Sequence, residues 1–375
     1  MSSRELLAIR QTAGDRLDVY SGVARLSGSV FAAAVHPDGV SRTAALVIHP
    51  TSNFLGHYAL EPLAARGVTA VGLTTRYVGN DSTLIMENCV LDVAAAVRHL
   101  RASGFEKVVL VGNSGGGGLA ALYQSQAEAP SITATPAGDP PNLMVADLPP
   151  VDAIVMLMAH PGRASTLTTW LDPAIRSEAA PDDRDDDLDL FSPSRTFPLD
   201  EDFLERYRAA QEDRNRRITT WVKETLATLD DDGDLSFLVQ GTAADPRFLD
   251  LSIEPSDRAP GTLWGDARIA NTLPAGLARY SSLRSWLSQW SLDDSNCDAL
   301  KNLPEVSVPV LVVYGSADNA AFPSDAHEMF AAARHEGSAI VEVAGADHYF
   351  LGRPDLLDEA CTAIVRWLDD RGILT

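Results

Sequence analysis

The chain has 375 residues, of which 45% are hydrophobic and 22% charged, with a formal net charge of −22 and a pI near 4.6. This length suits one large or two modest domains with a sizeable core. So acidic a chain offers no basic face to meet phosphates, which argues against nucleic-acid and anionic-membrane binding.

Residues 17–36 read as two strands around a turn near Ser27–Gly28, the second being Val30–Val35. A third strand, Ala44–Ile48, ends at His49-Pro50-Thr51-Ser52-Asn53. A helix over about 56–66 stops at Gly67, and Val68–Leu73 is a fourth strand. After the loop 74–82, a helix from about Leu84 to Ser103 carries Ile85, Val90, Val93, Val97 and Leu100 on one side and closes at Gly104.

The next stretch organises the rest. Val108–Val111 is a short, continuous, β-branched-rich run, as a strand buried on both faces should be. Gly112-Asn113-Ser114-Gly115-Gly116 then matches the pattern G-x-S-x-G. A chain that turns from strand to helix within about one residue, with a hydroxyl at the strained tip, tolerates little bulk beside that tip. Gly117 and Gly118 let the following helix lie close to neighbouring strands. The bland alternative is an ordinary glycine-rich βα turn. A phosphate-binding loop fits worse, because neither a Lys after the glycines nor G-x-G-x-x-G spacing with a later strand-end acid is present.

Residues 128–150, rich in Pro, Ala and Thr, read as a loop, and Val151–Met158 as another buried strand ending at His160-Pro161. The alternation resumes at Val308–Tyr314, a strand leading to Gly315-Ser316-Ala317-Asp318. A helix over roughly 324–334, a strand Ala339–Val343 leading to Gly345-Ala346-Asp347-His348, and a helix from about Pro354 to Asp370 complete it. Strands alternating with helices imply a mostly parallel sheet covered on both faces, with ligands bound beyond the carboxyl ends of the strands. Ser114, Asp318 and His348 all follow such ends.

Residues 161–303 interrupt this rhythm with helical stretches near 201–229 and 274–290 and with acidic, proline-rich connectors. Five of the six tryptophans fall there: Trp170, Trp221, Trp264, Trp286 and Trp290. The acidic run 182–189 reads as a solvated loop; a Ca²⁺ site is the alternative, but the spacing is not that of an EF-hand. Cys89, Cys297 and Cys361 are odd in number and far apart, so neither a disulfide framework nor a zinc site is suggested. No stretch approaches the roughly 18 apolar residues of a membrane span, and the first ten residues lack a signal-peptide core. The expectation is a cytoplasmic protein with no membrane or nucleic-acid partner and no metal or cofactor; a homo-oligomer stays open.

Through the elbow, the order Ser…Asp…His and the strand-end placement of each, the chain resembles the α/β-hydrolase superfamily with an inserted cap. The resemblance covers 1–160 and 304–375 as the core, with 161–303 as a mainly helical cap. It implies an eight-stranded, mostly parallel sheet with helices on both faces. It further implies Ser114 as nucleophile, His348 as general base and then acid, and Asp318 as the carboxylate that orients the imidazole. A serine hydroxyl is a poor nucleophile until a base takes its proton, and imidazole titrates near neutral pH.

Rival readings accompany each residue. His348, followed by Tyr349-Phe350, reads blandly as a packing histidine, and Asp325 and Asp347 compete with Asp318. The oxyanion hole is implied at the N–H of Gly115 and at a second amide from the loop after the third strand. Many relatives have His-Gly there. This chain has His49-Pro50, and proline has no N–H, so Thr51 is the candidate, with Ser52 next. His49 reads as a brace for that loop, His160 as a residue that could face the pocket, and Arg76 as structural; His57 and Tyr58 have no assigned role.

These features imply a metal-free serine hydrolase acting through an acyl-enzyme on a carboxylic ester or related acyl compound. The tryptophans favour a small to medium, partly apolar or aromatic substrate, although tryptophan in a helical lid more often packs its core. Carbon–carbon bond hydrolysis or acyl transfer on the same triad is the alternative; a non-catalytic, hydrolase-like binding module is the bland one.

Overall fold

All six residues of Thr43–Ile48 and all five of Thr69–Leu73 are buried. Runs of this kind are stable only in the middle of a sheet with both faces covered. The computed structural model, which describes residues 3–11, 28–274 and 276–374, places them there. In chain order the strands are β1 (Ser3–Arg10), β2 (Ser29–His36), β3 (Thr43–Ile48), β4 (Thr69–Leu73), β5 (Lys107–Ser114), β6 (Ala153–Ala159), β7 (Ser236–Leu238), β8 (Tyr280–Ser282), β9 (Val310–Gly315) and β10 (Ala339–Val343). Eight of them form one sheet in the order β1-β2-β4-β3-β5-β6-β9-β10, and β7 pairs with β8 alone. β2 is antiparallel to both β1 and β4, and every pair from β4 to β10 is parallel.

The main helices are α1 (Leu60–Ala64), α2 (Met86–Ala102), α3 (Gly116–Glu128), α4 (Arg163–Trp170), α5 (Glu201–Leu226), α6 (Ala267–Thr272), α7 (Leu283–Gln289), α8 (Ala299–Asn302), α9 (Pro323–Ala332) and α10 (Pro354–Asp369). The period-two alternation of the strands divides the core. Ala44, Leu46 and Ile48 of β3 and Val108 and Leu110 of β5 join Val90, Val93 and Val97 of α2 and Leu119 of α3. Ala45, Val47, Val109 and Val111 face the opposite way, toward Leu60 and Leu63 of α1 and Ile364 and Leu368 of α10. Each Val, Leu or Ile side chain among them, once removed from water, contributes about 1.5–3 kcal/mol, which makes the central strands a rigid platform for whatever follows their carboxyl ends.

The sheet is the α/β arrangement expected, and the elements from β3 to α3 and from β9 to α10 lie within a few residues of their expected spans. The strand expected before Ser27 lies outside the described residues. The edge strand was instead found at Ser3–Arg10, which is exposed along nearly its whole length, with only Ile9 buried. A strand that buries almost nothing leaves no alternating signal. The helix expected over 274–290 is replaced by β8 and the short α7, which begins where Ser282 caps the Ser285 amide.

Between β6 and β9 the chain gathers an apolar cluster of its own, including Trp170, Phe203, Tyr207, Trp286 and Trp290. Trp286 and Trp290 stack with ring centroids 5.1 Å apart, whereas Trp221 and Trp264 are exposed. Among the described residues no helix is long and apolar enough to cross a membrane.

Candidate active site

Ser114 ends β5 with φ of 54°, a left-handed conformation that a serine seldom holds. The pairing of β5 with β6 shifts register between Asn113 and Ser114. Two glycines make the turn possible by their lack of bulk. A Cβ on Gly112 would stand 2.4 Å from the Gly116 carbonyl oxygen, and one on Gly116 would stand 2.0 Å from the Ile48 carbonyl oxygen. Gly117 and Gly118 are confined less tightly, a Cβ meeting the Ala159 Cβ at 2.8 Å and the Pro161 carbonyl oxygen at 2.7 Å. Asn113 secures the turn from below: its amide donates to the Tyr58 hydroxyl and to the Leu157 carbonyl, each at 2.8 Å.

Asp318 and His348 lie in the turns after β9 and β10. His348 Nδ1 donates to Asp318 Oδ2 at 2.7 Å, with the imidazole 2% exposed and the carboxylate fully buried. The other carboxylate oxygen accepts the amides of Ala320 (2.8 Å) and Ala321 (3.0 Å), so Asp318 is held from both sides. The rival carboxylates are engaged elsewhere. Asp325 caps α9 by accepting the Phe322 amide at 3.0 Å, and burial pushes its carboxyl up to about 7. Asp347 accepts the amides of Tyr349 and Leu351 within its own turn. Among the described residues the partly buried Ser114 hydroxyl makes no hydrogen bond to His348.

Other imidazoles surround the elbow. A Cβ on Gly115 would lie 3.2 Å from His49 Nε2 and 3.5 Å from His160 Nε2. Burial, reinforced by the charges of His348 and Arg163, pushes His160 down to about 3. Burial also holds His57 down to about 4, and burial with the neighbouring charge of Arg163 keeps His49 well below the usual imidazole range. These rings are therefore neutral near pH 7. His57 lies between Phe54 and Tyr58 in tilted contacts, with ring centroids at 4.5 and 4.0 Å, and accepts the Ala59 amide at 3.2 Å.

The loop after β3 departs from expectation. The Thr51 amide donates to His49 Nδ1 at 3.1 Å and the Ser52 amide to the same atom at 2.9 Å. Both amides considered for the second oxyanion donor are thus already engaged, because the short His-Pro-Thr-Ser turn wraps back onto its own imidazole. The Thr51 hydroxyl is taken as well, by Arg163 at 2.8 Å. Gly115, the N-cap of α3, presents its N–H at the unsatisfied start of a helix.

Arg163 escaped the sequence reading. It is 2% exposed and ties the loop after β3 to two distant segments, donating to Asp81 at 3.0 Å and to Gln289 at 2.7 Å. Its partners lie 82 and 126 residues away in sequence, so no local pattern could have flagged it. Asn113 and Tyr58 were missed for the same reason. Arg76 is engaged inside the fold: its guanidinium and amide both donate to Asp92, and neither side chain is exposed beyond 1%. In the acidic run, Arg184 pairs with Asp172 and Asp189, and Arg176 with Asp183 and Asp185. All three cysteines are buried.

The strand order, the left-handed serine between glycines and the buried acid–imidazole pair at one sheet edge define a class, the α/β hydrolases. The sequence profile of the alpha/beta hydrolase family matches residues 45–360, and the chain belongs to that family. Among solved structures, a hypothetical protein from Pseudomonas aeruginosa matches with a TM-score of 0.54 at 13% identity, covering 98% of this chain and 94% of that one. The esterase domain of a Rhodothermus marinus protein matches with a TM-score of 0.47 at 12% identity, covering 98% of each chain. A monoacylglycerol lipase from Paleococcus ferrophilus matches with a TM-score of 0.46 at 16% identity, covering 90% of this chain and 98% of that one. No curated protein sequence matches significantly.

Proposed function

We propose that the protein is a serine hydrolase that cleaves a carboxylic ester or related acyl compound through an acyl-enzyme. The observation that carries this is the buried 2.7 Å bond from His348 to Asp318, in the turns beyond the same sheet edge at which Ser114 is held in a left-handed conformation. A strained serine and an imidazole anchored by a carboxylate are what activation of a hydroxyl requires.

In this reading the Ser114 oxygen bonds to the substrate carbonyl carbon while its proton passes to His348 Nε2. The tetrahedral adduct collapses, the bond to the leaving alcohol breaks, and His348 returns the proton to that alcohol. Water then attacks the acyl-enzyme by the same proton route and releases the acid. Asp318 holds Nδ1–H and stabilises the transient imidazolium. The Gly115 amide, at the positive end of α3, serves the developing alkoxide. Residues 161–303 act as a cap over this edge, and the tryptophans of that segment favour a partly apolar or aromatic acyl or alcohol group.

A fluorophosphonate probe on the purified protein tests the reading. It should label wild type at Ser114 and leave Ser114→Ala unlabelled, and a panel of p-nitrophenyl esters should be turned over by wild type alone. Absence of labelling and turnover in wild type, or equal turnover in Ser114→Ala, would overturn it.

A further inference from the structure

His49 itself holds both amides of the loop that could have served as a second oxyanion donor. Its Nδ1 accepts two backbone amides, Thr51 at 3.1 Å and Ser52 at 2.9 Å. An atom that receives two N–H groups carries no proton of its own, so the neutral ring keeps its hydrogen on Nε2. The ring is 7% exposed, and burial together with the charge of Arg163 disfavours a second proton. A positively charged ring would in any case turn an N–H against two others.

The tautomer therefore follows from the loop, and it leaves one donor to place. Among the described residues Nε2 has no hydrogen-bond partner, yet it is not among the sealed, unpartnered polar atoms either. It faces open space, and that space lies beside the elbow: the position a Cβ would take on Gly115 is 3.2 Å from it. Gly115 has an ordinary helical φ of −60°, so this glycine is not required by its backbone conformation. What its missing side chain preserves is the space beside His49 Nε2.

We propose that His49 Nε2–H is the second donor to the oxyanion, in the place usually filled by a backbone amide of this loop. The inference rests on the serine-hydrolase reading. A neutral imidazole suits the task, because it polarises a carbonyl oxygen without carrying a full charge that the ground state would also bind. The rigidity is built in: Nδ1 is pinned by two amides, and the hydroxyl of Thr51 is pinned in turn by the buried Arg163 at 2.8 Å. Such preorganisation is what makes a donor effective when charge develops. His160 is the competing imidazole, with its Nε2 3.5 Å from the same Cβ position. Its Nδ1 faces the Thr166 hydroxyl at 3.0 Å, a group able to give or accept, so nothing commits its other nitrogen to donation.

Two substitutions separate the two nitrogens of His49. Asn places an oxygen near Nδ1 and can still accept the Thr51 amide, as in an Asx turn, but it loses the outer donor. Gln reaches the outer position with an N–H₂ and loses the brace. His49→Asn is expected to lower kcat by about 10²–10³ with KM little changed, and to weaken binding of phenylboronic acid, which forms a tetrahedral adduct on serine, by a similar factor. His49→Gln should retain clearly more kcat than His49→Asn despite a lower melting temperature. A wild-type measurement covers the case in which neither variant folds. In ¹⁵N–¹H spectra of the imidazoles, formation of the boronate adduct should move the His49 Nε2–H resonance downfield and slow its exchange.

Ser114→Ala runs alongside. If it is inactive while His49→Asn keeps kcat within about threefold, or while the rate loss follows His160→Asn instead, the assignment to His49 fails and the hydrolase reading stands. If Ser114→Ala keeps full turnover, the underlying reading fails. An unchanged Nε2–H resonance in an adduct that forms also overturns the proposal.

Discussion

The imidazole of His348 and the carboxylate of Asp318, thirty residues apart in sequence, meet at 2.7 Å with both side chains shut away from solvent. The second oxygen of Asp318 is held by two backbone amides, so the carboxylate cannot turn away from the ring. One consequence concerns the tautomer. Asp318→Asn would present an amide where the ring needs an acceptor, favouring the proton on Nε2, the atom that must receive one from Ser114. The expected loss in kcat is about 10⁴, against about 10⁶ for Ser114→Ala or His348→Ala, with little change in melting temperature. Steady-state assays on one ester with all three variants check this; equal, small losses would remove the triad.

Neighbouring glycines at the elbow should fail in different ways. Gly116→Ala drives a methyl to 2.0 Å from the Ile48 carbonyl, where only backbone can yield, and should cost at least about 1–3 kcal/mol of stability. Gly115→Ala adds a methyl whose nearest atoms belong to imidazole rings, His49 at 3.2 Å and His160 at 3.5 Å, on the side facing the proposed site. It should unfold at nearly the wild-type urea concentration yet lose most of its activity. Urea midpoints and ester turnover of the two variants make the comparison.

Acid should destabilise the fold through its buried histidines. His57 and His160 are held down to about 4 and about 3 against an ordinary 6.5. Between these values the unfolded chain binds protons on the two rings that the native state refuses, so unfolding free energy falls as pH falls. Asp325 works in the opposite sense. Its carboxyl, raised to about 7 from 3.8, binds a proton in the native state before it does so in the unfolded state, so it adds stability as pH falls from 7 toward 3.8. Asp325→Asn keeps an oxygen to cap the Phe322 amide and removes this compensation. Relative to wild type, the variant should gain stability at about pH 8, and that gain should shrink by about pH 5, as read from urea unfolding.

The buried pair of Arg76 and Asp92 should matter to folding alone. Arg76 donates to Asp92 from its guanidinium at 2.8 Å and from its own amide at 2.8 Å, inside the core. Asp92→Ala leaves a buried charge uncompensated and is expected to cost about 3–5 kcal/mol. Near room temperature, the fraction that remains folded should show kcat close to wild type. A large drop in kcat of that folded fraction would place Arg76 in substrate binding instead.

How much of this was legible beforehand follows from the range over which each feature is encoded. The buried strands, the small-residue elbow and the places of Ser114, Asp318 and His348 after strand ends come from patterns only a few residues long. Periodicity and glycine spacing dictate local conformation, so sequence reading reaches them. The exposed edge strand Ser3–Arg10 escaped because it buries only Ile9. The expected helix over 274–290 broke because pairing of Tyr280–Ser282 with Ser236–Leu238 outweighed its helical pattern. Tertiary structure alone decided which carboxylate meets His348 and that Arg163 reaches Thr51. Each is a hydrogen bond of 2.7–2.8 Å between residues that loops of unspecified path bring together. No spacing along the chain encodes such distances; only the packed sheet and its turns set them.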